Sequence, residues 1–145
     1  MKLRTLVATL FSIGAVVAAS GVVDAQTMSK ASTSLGSVKL GKSVMADGKP
    51  LAAGTYTLRV SDEMPAAVVG QTPGEARWIE FLQGGQVKGR EIATVLSKDA
   101  LKEMMSKSAP PASGSVKVER LKGDDYFRVW INHAGTQYLI HLAAQ

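Results

Sequence analysis

The chain has 145 residues, 17 Lys and Arg against 12 Asp and Glu for a net charge of +5, and no cysteine. The absence of cysteine excludes a disulfide-stapled miniature fold, a thiolate metal centre and a lipid-anchored lipoprotein, which needs a cysteine at its cut site. The basic excess is interleaved with acids, as in Lys117-Val118-Glu119-Arg120, and no run of five basic residues occurs. It describes a solvated mixed surface and argues against nucleic acid as a partner.

Residues 1–25 have the layout of a secretory signal. Lys2 and Arg4 make a positive start, an apolar run extends from Leu6 to Val23, and Val23 and Ala25 are small side chains three and one residues before a cut between Ala25 and Gln26. The rival is an uncleaved anchor, because the run approaches the roughly 20 apolar residues that cross a bilayer. Gly14, Ser20 and Gly21 thin its apolar content, however, and no basic stop-transfer cluster follows. Cleavage leaves 120 residues with 15 basic and 11 acidic side chains. The expected location is secreted or periplasmic, with membrane contact only through the signal before cleavage.

Residues 26–34 (QTMSKASTS) are small and polar without periodicity and are expected to form a flexible lead. From Leu35 to the C-terminus a single β domain is expected. Short apolar alternations separated by Gly, Pro and Asp-Gly signals predict strands over 37–40, 42–46, 54–60, 77–83, 86–96, 115–121, 126–131 and 137–142. In 54–60, Tyr56, Leu58 and Val60 alternate strictly with Thr55, Thr57 and Arg59, so one face packs and the other meets water. Gly84-Gly85 predicts a tight hairpin between the fourth and fifth strands, and Gly89 a bulge in the fifth. Trp78, Ile79, Phe81 and Leu82 place apolar side chains on both faces of 77–83.

One short helix is predicted near 98–107. Ser97 caps it, Asp99 and Lys107 suit its ends, and Leu101, Met104 and Met105 form an apolar stripe suited to core packing. It would cross between groups of strands or plug one end of a barrel. In the C-terminal third, a two-residue Gly123-Asp124 turn sets Val118 opposite Val129, Val116 opposite Ile131 and Glu119 opposite Arg128. A four-residue loop over 132–135 sets Val129 opposite Tyr138 and Phe127 opposite Ile140, with His141 across from Tyr126. Both turns give one apolar face, namely Val116, Val118, Phe127, Val129, Ile131, Tyr138 and Ile140.

No constellation in the chain argues for catalysis or for a cofactor, and the chain is read as a non-enzyme. His133 and His141 fall far apart, and neither has the converging ligands that a zinc site needs. Asp124 and Asp125 are adjacent rather than at the alternate positions of a calcium loop. No G-x-S-x-G occurs. Glu80, Glu91 and Glu119 are the carboxylates that a small hydrolase would have to bring together, with His141. The candidate binding surface is the opposite face of the C-terminal strands, where Tyr126, Arg128, Trp130, Leu139 and His141 are neighbours. Aromatics with arginine are the composition of interface hot spots and of sugar platforms. The alternative is that a second sheet or the helix covers this face and makes Trp130 part of a core.

Residues 51–60, Leu-Ala-Ala-Gly-Thr-Tyr-Thr-Leu-Arg-Val, resemble the L-x-x-G-x-Y-x-L-x-V strand of transthyretin-like and carboxypeptidase-regulatory-like β-sandwiches. With 77–94 and 126–142, the chain also resembles small exported bacterial β-sandwich proteins of unknown function. The resemblance implies a compact β-sandwich in the cell envelope and supplies no activity or site residues.

The expected fold is therefore mostly β, a small antiparallel β-sandwich or a partly open β-barrel, with one short helix. The expected role is a non-catalytic binding or structural module. Its partner would be an envelope protein or polysaccharide, or further copies of the chain through edge strands. The alternatives are a carrier with an apolar cavity lined by residues such as Tyr56, Phe81 and Phe127, and a small hydrolase.

Overall fold

The structure, a computed structural model, describes residues 33–67, 69–70, 72 and 74–145. The signal, the Ala25/Gln26 cut and all of the lead before Thr33 lie outside them. Among the described residues no helix is long and apolar enough to cross a membrane.

The fold is mostly β, a single antiparallel sheet nearly closed into a barrel, with one helix. The strands are β1 (Ser34–Leu40), β2 (Val44–Ala46), β3 (Lys49–Leu51), β4 (Gly54–Val60), β5 (Ala76–Gln83), β6 (Gln86–Val95), β7 (Val116–Leu121), β8 (Tyr126–His133) and β9 (Thr136–Ala144), and the helix α1 (Lys98–Met105) lies between β6 and β7. Seven strands run around the wall in the order β1-β4-β5-β6-β9-β8-β7. The short β2–β3 hairpin pairs with β9 at Ala143 and Ala144, beyond the point where β6 pairs with Tyr138 and Leu139. Every pairing around the wall is antiparallel, so an odd number of strands leaves the first and last, β1 and β7, running parallel across the seam. That seam carries packing rather than ladder pairing.

Alternation explains the interior. Leu35, Val38 and Leu40 of β1, Tyr56 and Leu58 of β4, Ile79 and Phe81 of β5, Phe127, Val129 and Ile131 of β8, and Ile140 and Leu142 of β9 form one buried cluster, joined by Val44, Ala46 and Leu51 of the small hairpin and Ala93 of β6. Each such side chain contributes roughly 1.5–3 kcal/mol by leaving water. Tyr56 and Phe81 meet edge to face with ring centroids 6.1 Å apart, the arrangement that the ring quadrupoles favour. Strand 54–60 and the Gly84-Gly85 hairpin stand where the sequence places them, and Gln83 pairs with Gln86. The bulge falls beside Gly89, where Phe81 pairs with Gly89 and Leu82 with Val87. A side chain at Gly89 would meet Leu51 Cδ1 at 3.2 Å, so the glycine lets the β2–β3 hairpin lie against β6.

Several expectations need correction. Ser34, assigned to the lead, begins β1 and pairs with Arg59. β3 has no counterpart in the sequence reading, because Lys49-Pro50-Leu51 is too short to show alternation; the Asp47-Gly48 turn, with φ of 48° and 70°, folds it onto β2. α1 is capped as expected by Ser97, whose Oγ accepts from the Ala100 N–H at 3.2 Å. It crosses between non-adjacent strands without plugging the barrel. None of its residues is buried, and Met105 is exposed, so its methionines are not core. The β8–β9 turn has two residues, Ala134 and Gly135, rather than four. Ile131 therefore pairs with Tyr138 and Val129 with Ile140, two residues from the expected register. The slip is even, so Phe127, Val129, Ile131, Tyr138 and Ile140 still face inward, whereas Val118, expected on the same apolar face, is exposed on the edge strand β7.

Gly36 marks the seam. It follows Leu35 at a β1 bulge, has φ +121°, and a side chain there would lie 3.1 Å from Val116 Cγ2 of β7. Gly36→Ala should therefore lower stability by about 1–3 kcal/mol through backbone strain and a forced opening of the seam. Urea unfolding compared with the parent chain measures it.

Candidate functional site

The candidate face is the outer surface of β7, β8 and β9, and its side chains stand in three cross-strand rows. Leu121, Tyr126 and Ala143 form the row nearest the β7–β8 turn; Glu119, Arg128 and His141 form the next; Lys117, Trp130 and Leu139 form the third. The β7–β8 pairing is the one that the sequence predicts. His141 is the exception to the expected geometry: it lies opposite Arg128, with Tyr126 on the diagonal.

Trp130 does not belong to an exposed surface. It is fully buried and Leu139 nearly so, which corrects their expected place in a binding surface and favours the alternative in which the face is covered. The indole Nε1 donates to Gln137 Oε1 at 2.5 Å, and the Lys117 ammonium lies 5.8 Å from the ring centroid. Lys117 donates in turn to Ser108 Oγ at 2.7 Å and to the Ala109 carbonyl at 2.9 Å, while Asn132 Nδ2 donates to the Pro111 carbonyl. These bonds hold the segment that follows α1 across the outer face.

Glu119 is the centre of that latch. Its carboxylate accepts from Ser108 Oγ at 2.6 Å and from Arg128 Nε at 2.6 Å, and it pairs with Lys117 at 3.1 Å. Burial alone would push this carboxyl up; the hydrogen bonds from Ser108, Arg128 and Lys117, with the Arg128 charge, overturn that and hold it at about 2. A carboxylate so held is a structural anion and a poor general base.

What remains exposed is narrower than the sequence suggests. Tyr126 is 41% exposed, His141 is exposed and Arg128 is half-buried. Tyr126 and His141 join Leu121 and Lys122 around an open depression of about 430 Å³. The Lys122 ammonium lies 5.4 Å from the Tyr126 ring centroid. Leu121 and Lys122 were missed by the sequence reading, because Lys122 owes its place to the turn. Its φ of +52°, followed by +65° at Gly123 and +76° at Asp124, bends the chain so that it rims the depression. His141 is pushed below its ordinary value by burial and by the Arg128 charge.

The other chemistry-bearing residues stay separate. His133 pairs with Thr136 at the hairpin end, five residues along β9 from His141, or roughly 17 Å at strand spacing. Asp124 engages Lys42 and Arg120 from the turn. Glu80 is held by Arg59 Nε at 2.7 Å on the outer face, whereas Glu91 sits on the opposite face, opposite Ile79, and accepts from the Asp47 N–H at 2.7 Å. Glu119 and His141 share a row with Arg128 between them. Among the described residues no three His, Asp or Glu side chains are placed to hold a metal ion.

No family model matches the chain, and comparison with curated proteins and with solved structures finds no match.

Two outcomes follow from this geometry. Trp130→Ala should cost about 3–5 kcal/mol, as truncation of a buried indole does, and a shift of only a few tenths in chemical denaturation would contradict its burial. Glu119 is lowered in the folded state, so its contribution is present above the unfolded carboxyl value near 4.3, and is lost as pH falls towards about 2. Glu119→Gln should destabilise the protein at pH 7 by about 1–3 kcal/mol and flatten the decline below pH 4.5, read from melting temperatures across pH 2–7.

Proposed function

We propose that the chain is an exported, non-catalytic module of the cell envelope that binds an envelope polysaccharide or protein through the exposed face around Tyr126 and His141. The observation that carries this reading is the open depression in which an aromatic ring, a lysine and a histidine converge on rigid strands and their connecting turn. Export is supported by the positive start, apolar run and small-residue cut site of residues 1–25. A fold with no cysteine, stabilised by its own apolar interior, suits a free domain in that location.

The other readings have less behind them. Tyr56, Phe81 and Phe127, the expected lining of a carrier cavity, are packed within the core cluster. A hydrolase would need carboxylates converging with His141, and Arg128 stands between Glu119 and His141. Self-association through β1, β3 or β7, which end the sheet paths, is compatible with a binding role.

Capture from an envelope extract tests the reading. The immobilised protein should retain a polysaccharide or protein component, and Tyr126→Ala combined with His141→Ala should reduce that retention at least about tenfold, roughly 1.4 kcal/mol of binding, while stability stays within about 0.5 kcal/mol. Undiminished capture by the double variant would remove this face from the function.

A further inference from the structure

We propose that the depression beside His141 takes an acidic sugar residue, with the sugar ring against Tyr126 and its carboxylate at Lys122 and His141. This rests on reading the Tyr126–His141 face as the binding face, and goes beyond it by naming the ligand class.

Charge is the first argument. The cations around this part of the molecule are matched by acids: Arg128 and Lys117 by Glu119, Arg120 and Lys42 by Asp124. Lys122 makes no ion pair among the described residues; its ammonium lies instead over the Tyr126 ring, at the rim of the depression. The charged and titratable groups around His141 are Arg128 and Tyr126 on β8, Glu119 beyond Arg128 on β7, and Lys122 and Asp125 in the turn, where the Asp125 carbonyl accepts from the Ala144 N–H of β9. Burial first, and then the Arg128 charge, lower the basicity of the His141 imidazole, and the cation that the lining itself offers is the Lys122 ammonium. An anionic group placed there gains from Lys122 and meets no unneutralised acid in its lining.

Shape and surroundings select the rest of the ligand. The depression is open and shallow, so it admits an internal unit of a polymer without requiring a chain end. Its lining is mixed, with Leu121 and the Tyr126 ring beside the Lys122 ammonium and the His141 imidazole. A pyranose presents that combination: a C–H face that packs on an aromatic ring, and an acid group at its edge. An extended acidic peptide is less well served. β8, which carries Tyr126, is already paired on both sides, by β7 and β9, so at Tyr126 no free backbone ladder remains for a peptide to extend.

Isothermal titration calorimetry of the purified protein with tetragalacturonate, galactotetraose and an octaglutamate peptide tests the proposal. Tetragalacturonate should bind at least about tenfold more tightly than either of the others. Its affinity should fall about tenfold in Lys122→Ala and in Tyr126→Ala, and weaken as salt rises from 50 to 500 mM. Equal affinity for galactotetraose would overturn the acidic requirement, and equal affinity for octaglutamate the sugar requirement, each leaving the face intact as a binding face. Tetragalacturonate binding unchanged in both variants would place the sugar elsewhere. Absence of sugar binding overturns this proposal; the broader reading falls with it only if the Tyr126→Ala, His141→Ala double variant also keeps full capture from envelope extract.

Discussion

One apolar interior must be filled by alternate residues from every strand of the wall, and the rest of the structure follows from that requirement. Tyr56 and Leu58, Ile79 and Phe81, Phe127, Val129 and Ile131, Ile140 and Leu142 each satisfy it from a different strand. Because the interior fixes which side chains point inward, it also fixes which point out. The rows Glu119–Arg128–His141 and Leu121–Tyr126–Ala143 are the outward complement of that inward set. The candidate site is thus a consequence of core packing, held on strands that cannot rotate without emptying the core.

The outer face is divided by the chain that crosses it. Ser108 to Pro111 is fastened by Lys117, Glu119 and Asn132, and Trp130 beneath is fully buried with its N–H satisfied by Gln137. The same sheet therefore has a covered half, where polar bonds lock the crossover in place, and an open half around Tyr126 and His141. Glu119 belongs to both, because the arginine that it holds is also the cross-strand neighbour of His141. The covered half and the open half are in this way joined through one carboxylate.

Legibility in the sequence varied with the kind of signal. The strand 54–60 was readable because its alternation is strict, and the Gly84-Gly85 and Gly123-Asp124 turns because glycine tolerates the positive φ that they require. The β8–β9 register was misjudged by two residues, since Ala134 adopts φ 49°, a conformation that alanine does not announce. The error left the apolar face intact, because an even slip returns each side chain to the same side, yet it moved His141 from opposite Tyr126 to opposite Arg128. β3 was invisible because three residues carry no period. The α1 stripe was read correctly as amphipathic, but amphipathicity says nothing about what lies opposite it, and here none of its residues is buried.

The sequence by itself determined the antiparallel, mostly β character of the chain, the inward set of β8 and β9 and the absence of cysteine chemistry, because period-two alternation, turn residues and composition are local properties. Only the tertiary structure decided that the sheet curls until β1 and β7 nearly meet, that the crossover lies over Trp130, and that Lys122 and Leu121 join Tyr126 and His141 at one depression. Those outcomes depend on sheet curvature and on contacts between residues distant in the chain, such as Gly36 with Val116 and Ser108 with Glu119, and no local pattern encodes such contacts.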